Sequence, residues 1–242
     1  MKLKIIHSVG HRGLNKTADV KAAKTKLAQL GYEFFKINGK ADRGLIIAIK
    51  LFQSIIQGHH IVGGKGVDGR IDPNGFSLEF LNSKKAPKWM LMPLQGPGFF
   101  NYELLDTEDN HDYGTSWMAE TLQGAGHHYK ANYLKKHSNA ALIAINDVSL
   151  EEGGDTPDHK SHETGISCDL RLPRVDGDWG GIANPNTNKQ YDRSAMRAQL
   201  VALQEQPLID TILFNDARLI KEGLCDYHVG HGDHVHFSIK PK

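Results

Sequence analysis

Between Asp19 and Gly31, apolar residues return every three or four positions, at Val20, Ala23, Leu27 and Leu30. That spacing predicts an amphipathic helix with Asp19 as its N-cap and Gly31 as its C-cap. A second run sets Leu45, Ala48, Ile49, Phe52 and Ile56 on one face and stops at Gly58. Glycine-rich chain follows, with the turn Asp72-Pro73-Asn74-Gly75, and then a short run from Phe76 to Leu81. These elements predict a small three-helix unit over residues 1–82 with a marginal core. Pro87, Pro93, Pro97 and nearby glycines mark residues 83–105 as a linker or an ordered connection. From residue 106 to 242 the pattern becomes mixed. Ala140–Ile145 is a continuous apolar run, Ser167–Leu172 alternates, and Thr211–Phe214 is another short strand candidate. Ala195, Met196, Leu200 and Leu203 mark a helix behind the cap Asp192, and His234–Ile239 alternates like a terminal strand. The expected class is α+β, a small helical N-terminal domain followed by a domain on an antiparallel sheet.

Composition narrows the function classes. The 242 residues include 29 basic and 28 acidic side chains, a balance that gives no general field toward nucleic acid or anionic lipid. No apolar run is long enough to span a membrane, and MKLKIIHSVGHRG lacks the apolar stretch of a secretory signal. The only cysteines are Cys168 and Cys225, which excludes a disulfide scaffold or a cysteine-rich zinc module. Fourteen histidines are the one compositional excess, and ten of them follow residue 110.

His234-x-His236 is the first candidate for chemistry, because residues i and i+2 of a strand project from one face. Alone it is weak: at this histidine frequency a chance His-x-His is expected roughly 0.8 times. The second candidate is Ser161–Leu170, where His162 precedes Asp169 by seven positions with Gly165 between them. A turn at Gly165 would let the two side chains converge. Together the segments supply two histidines and one carboxylate, a recurring open zinc shell whose fourth position holds water. One carboxylate leaves such a site at net +1, which favours ionisation of that water. The chain lacks the His-Glu-x-x-His helix, so a further imidazole would have to move the proton or face the oxyanion.

Three segments resemble zinc peptidases of the lysostaphin, D-alanyl-D-alanine carboxypeptidase and murein endopeptidase group, above all its penicillin-insensitive murein endopeptidase branch. They are Asn146-Asp147-Val148-Ser149 with Gly153-Gly154, His159-x-Ser161-His162-x-Thr164-Gly165-x-x-x-Asp169-Leu170, and Gly230-His231-x-Asp233-His234-x-His236. The resemblance implies His162, Asp169 and His236 as zinc ligands, with His234 and His231 flanking the bound water or the oxyanion. His159 is then a substrate or outer contact, or else a plain loop histidine. Asp233 would orient His231 or His234, or simply be solvated at the strand entry. Asp147 and Ser149 read as structural loop residues, and Cys168, on the face opposite Asp169, as core. Members of that branch carry more cysteines and a cleaved signal, and this chain departs from them in both.

Residues 8–82 resemble the three-helix peptidoglycan-binding domain of bacterial and phage cell-wall hydrolases. The match rests on Ser8-Val9-Gly10, Gly13-x-Asn15, Asp19-Val20, Leu27, Gly31, Ala48-Ile49, Phe52-Gln53, Val67–Pro73 and Leu81-Asn82. The combined expectation is a monomeric zinc endopeptidase that cuts stem-peptide cross-links in peptidoglycan, at the D-alanyl–diaminopimelate bond in the nearest resemblance. Related activities on the same ligands are carboxypeptidase and L-alanyl-D-glutamate peptidase, and a non-catalytic wall-binding protein is the alternative of another class. The substrate implied lies outside the cytoplasm, so release as a phage endolysin or delivery as a secreted effector is expected, with no nucleic acid or membrane partner.

Overall fold

The computed structural model describes residues 2–105, 110–156 and 159–242. Among these, six α-helices and ten strands form a mixed α/β molecule. The first helix, α1 (Thr17–Ala28), buries Val20, Ala23 and Leu27 as the periodicity requires. Its start differs from expectation. Lys16 occupies the cap position, and Asp19 sits inside the first turn. The Asp19 carboxylate instead accepts the backbone N–H groups of Ile6 and His7, tying the N-terminal segment to the helix. α2 (Arg43–Gln57) matches its pattern: Asp42 caps it through the Leu45 N–H, and Gly58 ends it in the left-handed conformation. The short α3 (Phe76–Leu81) follows the two-stranded pairing of β1 (Val9–Gly10) with β2 (Arg70–Ile71).

Residues 83–105 are an ordered connection, and the chain crosses there without a break in packing. β3 (Trp89–Leu91) pairs with β6 (Tyr113–Thr115), while β4 (Gln95–Gly96) and β5 (Phe99–Asn101) enter the main sheet. The boundary expected near residue 106 therefore falls inside a sheet-forming region. Proline and glycine punctuate very short strands here. The Trp89 N–H donates to the Leu30 carbonyl, and its indole stacks on Tyr32 with ring centroids 6.1 Å apart. Gly31, expected as a helix cap, lies three residues past the end of α1 at φ +88°, and a Cβ there would meet the Trp89 carbonyl oxygen at 1.9 Å. Phe80 meets Trp117 edge-on at 6.2 Å. One hydrophobic cluster runs from Leu3 to Ile239, so the buried residues of the N-terminal helices are continuous with those of the main sheet.

The main sheet has the order β4-β5-β7-β8-β10-β9, where β7 is Ile143–Ile145, β8 Ser167–Arg171, β9 Ile209–Leu213 and β10 His234–Ile239. Only β5 and β7 run parallel; the other neighbours are antiparallel. α4 (Ser116–Tyr129) and α5 (Arg193–Gln204) pack on each other, with Asp192 capping α5 through the Ala195 N–H. Cys168 is fully buried in the core, and burial holds its thiol protonated. Trp89→Ala should cost about 3–5 kcal/mol, because it removes a buried aromatic that both halves of the chain pack against. Urea unfolding followed by circular dichroism measures this; a loss under 1 kcal/mol would separate the two halves energetically.

Candidate metal centre

The site grows from the pairing of β8 with β10, in which Asp169 lies opposite His236 and Arg171 opposite His234. Alternation turns Asp169, Arg171, His234 and His236 to one face, while Cys168, Leu170, Val235 and Phe237 face the core. His162 arrives from the loop before β8. Gly165 makes the turn at φ +62°, where a Cβ would stand 2.5 Å from the Gly114 Cα. The distance from His162 Nε2 to Asp169 Oδ1 is 3.3 Å, from His236 Nδ1 to Asp169 Oδ1 2.8 Å, and from His162 Nε2 to His236 Nδ1 3.2 Å. Ligand atoms around zinc, at bonds of about 2.0–2.1 Å, sit roughly 3.3 Å apart along tetrahedral edges. The three donors are thus spaced as zinc needs, and all three residues are buried.

The surroundings orient these donors. His162 Nδ1 lies 3.2 Å from the Val148 carbonyl, so its N–H is held there and Nε2 is left to bind. Burial acts to raise the Asp169 carboxyl, but the charges and hydrogen bonds of His162 and His236 outweigh it and hold the group far below the carboxylate range. For His162, burial acts to lower proton affinity, and the charge of Asp169 beside it prevails and raises it. A metal ion must displace that proton. Zinc affinity should therefore fall as pH drops through the neutral and mildly acidic range, starting at higher pH than for an unperturbed imidazole. Zinc titration of the metal-free chain across that range checks this, and a flat profile would remove His162 from the ligand set.

The remaining sequence candidates converge on the same place. His234 Nε2 is 3.7 Å from Asp169 Oδ2, and His234 Nδ1 is 2.8 Å from Asp233 Oδ1, so Asp233 orients His234. The His231 ring lies 4.9 Å from that of His234 and 5.6 Å from that of His236. Burial lowers the proton affinity of His231, as do its histidine neighbours, against a hydrogen bond to the Val229 carbonyl. His159 stands between two carboxylates, with Nδ1 3.9 Å from Asp169 Oδ2 and Nε2 3.6 Å from Asp147 Oδ2. Its ring meets those of His162 and His111, so it is more than a loop histidine. At 3.9 Å it is peripheral to the set closed by His236.

Several site residues escape a reading of motifs. Asp147, expected as a structural loop residue, faces His159 and lies 3.7 Å from His111 Nδ1. The ladder between β7 and β8 continues past the strand end: Asn146 N–H donates to Asp169 O, and Asp169 N–H to Asp147 O. Asp147 is thereby locked beside Asp169. His159, His162 and Asp169 form one group of donors able to hold a metal ion, and His111, Asp147 and His159 form another. His60, from the loop after α2, hydrogen-bonds Ser167 on β8 through Nδ1 at 3.1 Å. It lines a ≈ 660 Å³ groove with His162, His231 and His236. A second lobe of ≈ 580 Å³, lined by Asp147 and Arg171, shares His159, Asp169 and His234 with it. Arg171 was legible as two residues beyond Asp169 on a strand; His60, over 100 positions from its partner, carried no local signal.

No protein-family model and no curated protein matches the chain. What the cluster can do therefore rests on its geometry: three buried donors close enough to share one ion, two imidazoles beside them, and an open cleft on either side.

Proposed function

We propose that the chain is a zinc-dependent peptidase that hydrolyses stem-peptide cross-links of bacterial peptidoglycan, with the D-alanyl–diaminopimelate bond as first choice. One observation carries the catalytic part: His162, Asp169 and His236 present donor atoms 2.8–3.3 Å apart with His234 and His231 alongside. The spacing of the donors and their two-histidine, one-carboxylate chemistry fit zinc. Bound there, zinc would supply a Lewis acid and a water that ionises near neutral pH. Asp233 holds the Nδ1–H of His234, which leaves Nε2 facing the cleft as proton acceptor. His231, neutral at rest, takes up a proton only as negative charge develops beside it, when a donor to the oxyanion is needed.

The substrate class rests on the resemblance of residues 146–236 to murein endopeptidases and of residues 8–82 to peptidoglycan-binding domains. On this reading the N-terminal residues bind the polymer and the protein acts on the wall, as an endolysin or a delivered effector. Among the described residues no helix is long and apolar enough to cross a membrane. Digestion of purified cross-linked peptidoglycan with and without a zinc chelator, followed by mass analysis, tests the proposal. Chelator-sensitive conversion of dimers to monomers is the expected result. Loss of terminal alanine alone would make the enzyme a carboxypeptidase, and no change with zinc bound would leave a wall-binding protein.

A further inference from the structure

We infer that Arg171 is a carboxylate-binding site of the cleft, taking the free α-carboxylate of the residue that supplies the leaving nitrogen. The inference rests on the peptidase reading for the substrate's identity, though not for the site itself. Arg171 is opposite His234 in the β8–β10 ladder, one rung from the Asp169–His236 pair. Two residues along a strand span about 7 Å, so the Arg171 side chain leaves β8 about that far from Asp169 and on the same face, and both line one lobe of the cleft. Its Cζ lies over the Tyr102 ring at 3.8 Å from the centroid, a platform that fixes the plane of the group. Nη1 makes one long contact with Asn146 Oδ1 at 3.5 Å. Along the other edge, Nη2 and Nε would lie 3.0 and 3.1 Å from a Cβ at position 180, so the glycine there lets the backbone pass close beside the guanidinium without a side chain in front of it.

The charge distribution points the same way. Among the described residues, four of the eight arginines (Arg70, Arg174, Arg193 and Arg197) pair with a carboxylate, and Arg171 is, with Arg12, Arg43 and Arg218, one of the four that do not. The lobe it lines holds acidic groups, but these are engaged elsewhere. Asp169 and Asp147 face histidines, Asp233 holds His234, and Glu103 accepts the His111 N–H. Arg171 is the one arginine or lysine on the wall of that lobe. A half-buried guanidinium that is stacked on an aromatic ring, has no carboxylate partner and lines an open lobe can offer an edge to a planar anion through charge-assisted hydrogen bonds.

A substrate carbonyl at the metal donors puts the next residue's α-carboxylate within reach of that edge. All three bonds considered above share this feature. Diaminopimelate in the cross-link, terminal D-alanine in a pentapeptide and D-glutamate after L-alanine each carry a free carboxylate beside the scissile nitrogen. Arg171 therefore reads the leaving-group side, and the choice among bonds must come from elsewhere in the cleft.

The test is equilibrium binding to the full chain in chelator, so that no turnover consumes the probe. Three matched pairs are titrated: a cross-linked muropeptide dimer with free or amidated diaminopimelate, acetyl-lysyl-D-alanyl-D-alanine or its terminal amide, and L-alanyl-γ-D-glutamyl peptide or its α-amide. At least one pair should show about tenfold or greater preference for the carboxylate, the loss expected when a charge-assisted pair is removed. The pair that does so identifies the source. Arg171→Gln should abolish the preference with an unchanged melting temperature, and Arg171→Lys should keep part of it. Equal binding within all three pairs, or a preference that survives Arg171→Gln, overturns the inference. Should Arg171→Gln fail to fold, Tyr102→Leu, which removes the platform and leaves every charge, must reduce the preference. A preference that depends on Arg171 in a protein that digests no peptidoglycan would uphold the carboxylate site and reject the peptidase.

Discussion

His236→Ala should bind zinc more weakly by over about 100-fold, since losing even an outer partner of a metal ligand costs 10- to 100-fold. Cleavage of cross-linked muropeptides should fall to background in the same variant. The expectation follows from the position of Nδ1, which approaches both Asp169 and His162 closely enough to close the donor set. Alanine leaves His162 and Asp169 with only the looser His159, whose Nδ1 is 3.9 Å from Asp169 Oδ2, in place of a donor at 2.8 Å. Metal analysis after dialysis, together with the dimer assay, reads both effects. A variant that retains one zinc per chain at unchanged affinity would shift the centre to a group without His236, either His159, His162 and Asp169 or His111, Asp147 and His159.

His234→Ala is the complementary case. Zinc content should be unchanged, because His234 Nε2 approaches only the outer oxygen of Asp169, at 3.7 Å. Turnover should fall about 10²- to 10⁴-fold, the usual worth of a positioned proton acceptor. The loss should appear in kcat, with KM little changed, because the group acts on a proton and holds no part of the substrate. Asp233→Asn should give a smaller loss of the same kind, since it frees the imidazole to turn without deleting it. A fully active, zinc-loaded His234→Ala would pass the proton-accepting role to His231 or His159, the other imidazoles of the cluster.

Local chemistry was legible wherever the interacting groups are near in sequence or follow a strand's period. The alternation from His234 to Ile239 predicts a strand with two histidines on one face, and β10 has that form. His162 and Asp169 are separated by a glycine turn, and the turn is there. α5 begins at the aspartate its pattern names, and α2 ends at the glycine its pattern names. α4 was not foreseen: its apolar residues are broken by Gly124 and Gly126, and its cap is Thr115 at the end of a strand. Asp19 failed as a cap because a backbone segment outside the helix offered it two N–H donors.

By itself, then, the sequence determined the identity of the chemical groups, the faces they occupy on their own elements, and the turns that end those elements. These depend on backbone geometry over a few residues, which propensity and periodicity encode. Only the tertiary structure decided which groups meet. The register of β8 against β10 sets Asp169 beside His236 and Arg171 beside His234, and a slip of one residue would turn each pair to opposite faces. The continuation of the β7–β8 ladder brings Asp147 to the cluster, and the packing of Trp89 against Tyr32 helps hold the N-terminal residues so that His60 reaches Ser167. Such contacts arise from burying one shared core, a property of the whole chain that no local pattern of residues carries.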